Sequence, residues 1–508
     1  MSNKTIITII SCVWRTCKWL FLQALLYTLM SYIWDYEYGV GMLSMMALYT
    51  ALYVVYSEVV PRQSKMRLAF VPYVFYAVIA TLLFYSVEAW SSSLFACLVL
   101  PLYGFLCLLI VRICQRTSKK LAKQYKVGGK IIPTIVILLL VILKIGSVAW
   151  VCKSNGSFES ERVDIIERRN YIVHKLVTSP HMVVGRMPRA VGPQFQGEWA
   201  LYSCSMLSAS LVNISHLYPE TREENIRHID RLISIVMSPE LRHYDTMRWG
   251  EDPLESLNGD NSHNSYLSHL AWMMCGYKEM GGGDKYDDLL AKLCETMNRR
   301  LCQSRGFNLP TYPNEPIYIP DMLVAIVALD KYADLSGGTY RSTVDRWVER
   351  AKRDWLDEDT GLLVSFLNED GTKLYHAPVR GSYSALNCYY LTLIDEEFAM
   401  EQYGRLKTLF WKDGFVDGLK EYWNRTCWFG MDIDAGPILL ELSPSGTAFF
   451  AGPATYFNDV EVRNAILRTA EIAGHTIELG NKRHYLLANI ALVGESIMLA
   501  MSTNMNLP

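Results

Sequence analysis

Acidic side chains are nearly missing from the first third of this 508-residue chain. Residues 1–152 carry 4 Asp/Glu against 14 Lys/Arg, a net +10, and the remainder carries 47 against 35, a net −12. The overall charge of −2 therefore hides a basic part and an acidic part. The one basic cluster sits between apolar stretches, which excludes a nucleic-acid-binding face. Also absent are a glycine-rich dinucleotide or phosphate loop, a GxSxG turn and any C-x-x-C pair. Their absence argues against nucleotide-binding motifs, a serine hydrolase elbow and a CxxC redox or zinc site. Charge is only 20% of the composition and apolar residues are 51%, so the chain is not disordered.

What the first third has instead is length in its apolar runs. Stretches at about 39–60, 68–87, 91–113 and 131–151 each suffice to cross a bilayer, and 14–34 makes a fifth. Their connecting loops alternate in sign. Asp35 and Glu37 follow the first run, Arg62, Lys65 and Arg67 the second, Glu88 the third, and six bases from Arg116 to Lys130 the fourth. The positive-inside bias then predicts a membrane domain over 1–152 with about five transmembrane helices and a cytoplasmic N-terminus. Residues 153–508 would form an exported domain on the periplasmic or extracellular side. Lys144, inside the last run, reads first as a lysine that snorkels or faces a neighbouring helix, with an intramembrane functional site as the sharper alternative.

From about residue 160 the pattern is helical. Apolar segments alternate with amphipathic ones: 197–218 then 221–237, 263–280 then 285–302, 320–334 then 339–355, 380–394 then 396–411, 444–457 then 459–474. Segment 160–178 and segment 484–502 are left over at the two ends. Joined, they make a sixth pair. Apolar helices inside and amphipathic helices outside predict an all-α (α/α)6 barrel. Short hairpins are expected around 359–372 and before Pro444. The six cysteines of this part sit mostly at buried-looking helical positions and are expected to be free.

In such a ring the starts of inner helices, and the loops leading into them, open at one end. Polar residues there are the candidates for chemistry. Glu198 opens an otherwise apolar helix, a position that the helix dipole alone would also favour. His263 and His269 flank the next start, with spacing poor for a metal. The loop 309–321 holds Pro310, Pro313 and Pro316 and presents Tyr312, Glu315 and Tyr318 before Asp321. Asp321 is equally a natural residue for a helix N-terminus. Arg380 and Tyr383 begin the fourth inner helix. Asp432 and Asp434 lie two apart in a Gly/Pro-bounded loop, where acid–base work, binding and turn capping are all open.

Three segments carry a resemblance: Phe195-Gln196-Gly197-Glu198-Trp199-Ala200-Leu201-Tyr202, Ser265-Tyr266-Leu267-Ser268-His269-Leu270, and the turn-rich 309–321. Over about 180–500 the chain resembles the linalool dehydratase-isomerase family, whose fold is an (α,α)6 barrel. The resemblance implies dehydration and isomerisation of an alcohol without a metal or organic cofactor, and it implies that His269 lines the pocket. The family's pocket also uses two cysteines in the segment resembling 309–321, where this chain has Tyr312, Glu315, Tyr318 and Asp321. Tyr, Asn, Glu and Asp suit a hydroxyl-rich ligand better than a hydrocarbon.

The expectation is thus a membrane-tethered, metal-independent acid–base hydro-lyase or isomerase. Its catalytic residues would be His269, Glu315, Asp321 and Asp432. Glu198, His263, Tyr312, Tyr318, Arg380, Tyr383 and Asp434 would bind substrate. The alternatives are a carbohydrate-active barrel, hydrolase or lyase, pairing Asp432 or Asp434 with Glu198 or Glu315, and a non-catalytic binding module. The expected partners are a lipid bilayer and a small-molecule or carbohydrate substrate, with no nucleic acid, metal or cofactor. An oligomer is left open.

Overall fold

A helix that is apolar all round must be covered on every side, and a second layer of amphipathic helices is one way to cover it. The computed structural model describes residues 158–188, 192–414, 416–485, 488 and 492–506. Within them run α1 (Phe158–Leu176), α2 (Pro180–Gly185), α3 (Pro193–Leu217), α4 (Arg222–Val236), α5 (Pro239–Trp249), α6 (Asn264–Glu279), α7 (Asp287–Gln303) and α8 (Ile319–Leu335). They are followed by α9 (Arg341–Asp354), α10 (Gly381–Leu391), α11 (Glu396–Phe410), α12 (Pro444–Tyr456), α13 (Val460–Gly474) and α14 (Leu492–Ser502).

Six of these make a closed inner ring: α3 packs on α6, α6 on α8, α8 on α10, α10 on α12, α12 on α14, and α14 returns to α3. The outer layer is α1 on α3 and α14, α4 on α3 and α6, α7 on α6 and α8, α9 on α8, α11 on α10 and α12, and α13 on α12. Inner α6 and α10 are buried along almost their whole length, whereas amphipathic α4 and α9 bury one stripe each. The outer layer is tied across the chain ends by Arg463 of α13, which donates to both carboxylate oxygens of Glu161 of α1 at 2.8 and 2.6 Å, with both residues buried.

The expected fold class needs correction. No helix among the described residues is long and apolar enough to cross a membrane. The helices that are apolar face other helices in the ring, and α3, the longest of those described, carries serines at positions 203, 205, 208, 210 and 215. The five spans expected over 1–152, with Lys144, lie outside the described residues. The transmembrane bundle and the placement of 153–508 on the outer side of a membrane are therefore unsupported, and what the described residues show is a mostly helical fold.

Short antiparallel ribbons fill the connections: β1 (Ile317–Tyr318) with β2 (Phe366–Leu367), β3 (Trp411–Lys412) with β4 (Gly418–Leu419), β5 (Phe429–Asp432) with β6 (Gly436–Leu439), and β7 (Thr476–Leu479) with β8 (Lys482–Tyr485). The last ribbon takes the start of the segment read as helix 484–502. Arg483 donates from β8 to Asp164 of α1 at 3.1 Å and to Glu478 of β7 at 2.9 Å, so charge pairing holds the strand there. Helix α5 was not expected, although Ser238 caps it, Pro239 starts it and Gly250, at φ 79°, stops it. Among the described residues Cys204, Cys275, Cys294, Cys302 and Cys388 are free thiols.

One close approach fixes the start of α10. A Cβ on Gly381 would lie 2.0 Å from the backbone oxygen of Lys420. Gly381→Ala is expected to destabilise the domain by about 1–3 kcal/mol, because the rigid backbone cannot yield. Chemical denaturation measures it, and an unchanged midpoint would contradict the packing.

Candidate active site

The second turn of α3 and the first turns of α6, α8 and α10 bring Glu198, Ser265, Asp321 and Tyr383 to one end of the ring. The end of β5 and the turn that follows it, just ahead of α12, add Asp432 and Asp434. Helix α5 and loop 309–318 supply the wall. Tyr244 and Tyr312 both share Ser265 Oγ, at 2.9 and 3.3 Å. The Arg248 guanidinium stacks over the Tyr312 ring at 4.1 Å and donates to Glu315 Oε1 at 2.7 Å. Tyr318 donates to Glu315 Oε2 at 3.3 Å. Cross-strand pairing of Tyr318 with Phe366 builds an aromatic wall with Tyr383, with ring centroids 5.2 to 6.2 Å apart.

Three carboxyl groups share this space. Thr311 donates to Asp321 Oδ2 at 2.8 Å, and Tyr383 donates to Asp434 Oδ2 at 2.7 Å. Glu198 and Asp321 are half-buried, and Asp434 stands exposed at the rim. Burial, and after it the negative charges of Asp321 and Asp434, push the Glu198 carboxyl up to about 8, against a hydrogen bond from Tyr312 and the charge of Arg248. Burial likewise raises Asp321 to about 7; the Thr311 hydrogen bond opposes this, and Asp434 and Glu315 add to it. Asp434 is raised as well, by burial first. Among the described residues neither Glu198 nor Asp321 has a Lys or Arg in direct ion pairing. Like charges crowded in a partly dry site hold protons near neutral pH.

Arg380 organises the rim. It donates to Glu421 Oε1 and to Asp432 Oδ1, both at 2.6 Å, while its third nitrogen lies 3.9 Å from Asp434 Oδ2. Glu421 is wholly buried and accepts from Ser382 through N–H and Oγ–H at 3.2 and 2.9 Å. Asp432 accepts from the N–H groups of Asp434 and Ala435 at 2.9 and 3.0 Å. Although burial opposes it, these bonds and Arg380 hold Asp432 below the usual carboxylate range. Asp432 is thus a turn and Arg380 anchor, and Asp434 is the carboxylate that accepts from Tyr383 and whose charge acts on Glu198 and Asp321.

The histidines lie elsewhere. His269 sits in the middle of the ring, with Nδ1 2.8 Å from Ser205 Oγ and its ring 4.8 Å from that of Tyr202. Burial pushes it down to about 3, so it stays neutral. His263, at φ 49° ahead of α6, is wholly buried, with Nδ1 2.5 Å from Asp245 Oδ2 and Nε2 3.1 Å from Ser256 Oγ. It staples the loop after α5. The structure therefore brings together Glu198, Tyr312, Glu315, Tyr318, Asp321, Arg380, Tyr383, Asp432 and Asp434, and leaves His263 and His269 apart from the carboxyls.

Sequence reasoning missed Tyr244 and Arg248 because it missed α5. It missed Tyr202, whose hydroxyl lies 3.1 Å from that of Tyr390, although Tyr202 follows Glu198 by one helical turn. Nothing in the sequence marks Glu421. Among the described residues no cluster of three or more His, Cys, Asp or Glu is arranged to hold a metal ion. No family model matches this chain, and no curated protein matches it.

Proposed function

We propose that this end of the ring is an acid–base centre that removes or moves a hydroxyl group on a small alcohol, as a hydro-lyase or isomerase. The observation that carries the reading is the group of three mutually repelling carboxyls, Glu198, Asp321 and Asp434, facing one tyrosine-walled cleft. A carboxyl held protonated near pH 7 can give its proton to a departing hydroxyl, which leaves as water. Glu198, pushed up to about 8, is the acid. Asp434, in its carboxylate form, then takes a proton from the adjacent carbon, and Tyr383 orients it. Tyr312, Tyr318 and Arg248 hold the substrate. His269 is not the proton carrier in this scheme, because its burial keeps it neutral. The resemblance to the linalool dehydratase-isomerase family supports the reaction type, while the tyrosine wall argues for a more polar alcohol.

The coupling of Glu198 to Asp434 also favours a second reading. The same acid could protonate a glycosidic oxygen while Asp434 acts as nucleophile or base.

The test is a screen of small alcohols for alkene or isomer formation, beside a screen of glycans for new reducing ends. For the substrate found, Glu198→Gln and Asp434→Asn should each lower kcat/KM by about 10²–10⁴-fold. The wild-type rate should fall as pH rises through about 8, where Glu198 loses its proton. Full activity in both variants would overturn the acid–base assignment.

A further inference from the structure

At the opposite end of the ring lies a cavity of about 150 Å³. Its floor is Ser205 and Trp272, and its walls include Ser208, Ala209, Val212 and Tyr389. Ser205 is one turn below Tyr202 on α3, so a septum of side chains stands between the cavity and the carboxyl end. Tyr202, His269 and Tyr390 form that septum. The two spaces are therefore distinct sites within one bore.

The charges at the cavity mouth cancel internally. Glu279 takes His216 Nε2 on one carboxylate oxygen at 3.1 Å and Lys331 Nζ on the other at 3.0 Å. Both of its oxygens are committed, and the charge of Lys331 is answered. The C-terminal ends of α3, α6 and α8, which carry His216, Glu279 and Lys331, add the negative poles of three helices, which disfavour an anion. A charged ligand would bring a charge with no partner into a partly dry space. What remains for a ligand is the Ser208 hydroxyl, the amide of Asn213, and apolar area on Trp272, Tyr389 and Val212. A space of this size accepts one benzene-sized molecule.

We infer that this cavity is a second binding site, for an uncharged ring-sized molecule bearing a hydroxyl. The apolar body lies against Trp272 and the hydroxyl meets Ser208. This site does not depend on the reaction assigned to the carboxyl end.

The full chain labelled with 5-fluorotryptophan tests it by fluorine NMR. Of the thirteen tryptophan signals, the one missing in Trp272→Phe reports the cavity. Phenol and cyclohexanol are the neutral probes, with benzoate and anilinium as charged counterparts of the same size. Phenol and cyclohexanol should shift the Trp272 signal saturably in the millimolar range, and each should bind at least tenfold tighter than benzoate or anilinium. Ser208→Ala, which removes one atom and leaves the packing, should weaken phenol about 2–10-fold, the loss of one hydrogen bond. Ala209→Phe, checked for an unchanged unfolding temperature, should abolish saturation. The inference is overturned by a Trp272 signal that never saturates with phenol, by charged probes binding as tightly as neutral ones, or by phenol binding unaltered in Ser208→Ala. It is also overturned by phenol binding unaltered in a folded Ala209→Phe.

Discussion

Glu198→Gln is expected to make the protein more stable at pH 9 and to leave its stability at pH 4 almost unchanged. The Glu198 carboxyl is raised to about 8 in the folded chain, above its ordinary value of 4.5. The folded state therefore holds a proton that the unfolded chain releases, and stability falls as pH rises from about 4.5 through about 8. Above that range the folded protein must keep a carboxylate against Asp321 and Asp434. Glutamine keeps the shape and hydrogen bonding without the charge. Because Glu198 is half-buried and so partly screened by solvent, the full shift is discounted, and the gain is roughly 1–3 kcal/mol at pH 9. Urea denaturation of both proteins at pH 4 and pH 9 measures it. A gain of equal size at both pH values would mean that the glutamine acts by packing, and the electrostatic account of the site would fail. A substitution that stabilises the fold while removing the proposed acid is what a site strained for function would show.

Glu161→Gln is expected to cost about 3–5 kcal/mol at neutral pH, the usual result of leaving one member of a buried pair without its partner. Arg463 is buried against Glu161 through two parallel hydrogen bonds, and it also donates to Thr455 Oγ1 at 3.2 Å and to the Ser502 carbonyl at 3.1 Å. One side chain thus joins α13, α12, α14 and α1, the helices at which the chain meets itself. The double variant Glu161→Gln with Arg463→Met should recover part of the loss, because no buried charge is then stranded. Thermal and urea unfolding provide the check. A loss below 0.5 kcal/mol would show that the pair is a surface contact and that the ring is closed by other means.

These two residues mark the limit of what a sequence reading supplies. Glu198 stood out because a charge at the head of an apolar helix is locally unusual. Glu161 did not, because one acid on an amphipathic helix looks like any other until α13 is laid beside it. The same holds for Glu421, an acid in an irregular segment that becomes the buried partner of Arg380. Helix α5 carried its own start and stop residues, Ser238, Pro239 and Gly250, yet its polar sequence lacked an apolar stripe. Its tertiary value lies in three side chains, Tyr244, Asp245 and Arg248, which no periodicity selects.

Local patterns determined the alternation of apolar and amphipathic helices, their approximate limits, the proline-stiffened loop ahead of α8 and the presence of Asp432 and Asp434 in a turn, since each depends on residues within a few positions of one another. The sign of the connecting loops in 1–152 was equally legible, but the conclusion drawn from it, a membrane bundle, is not supported by any described helix. Only the tertiary structure decided which polar groups meet. It put Asp434 rather than Asp432 in the cleft, because Arg380 and the N–H groups of the turn take Asp432. It set His269 and His263 apart from the group of Glu198, Asp321 and Asp434, one by burial without a charged partner and the other by pairing with Asp245. The reason is physical: helix position follows from spacing along the chain, whereas a carboxyl's proton affinity is set by charges that arrive from helices hundreds of residues away and by how much water is left between them.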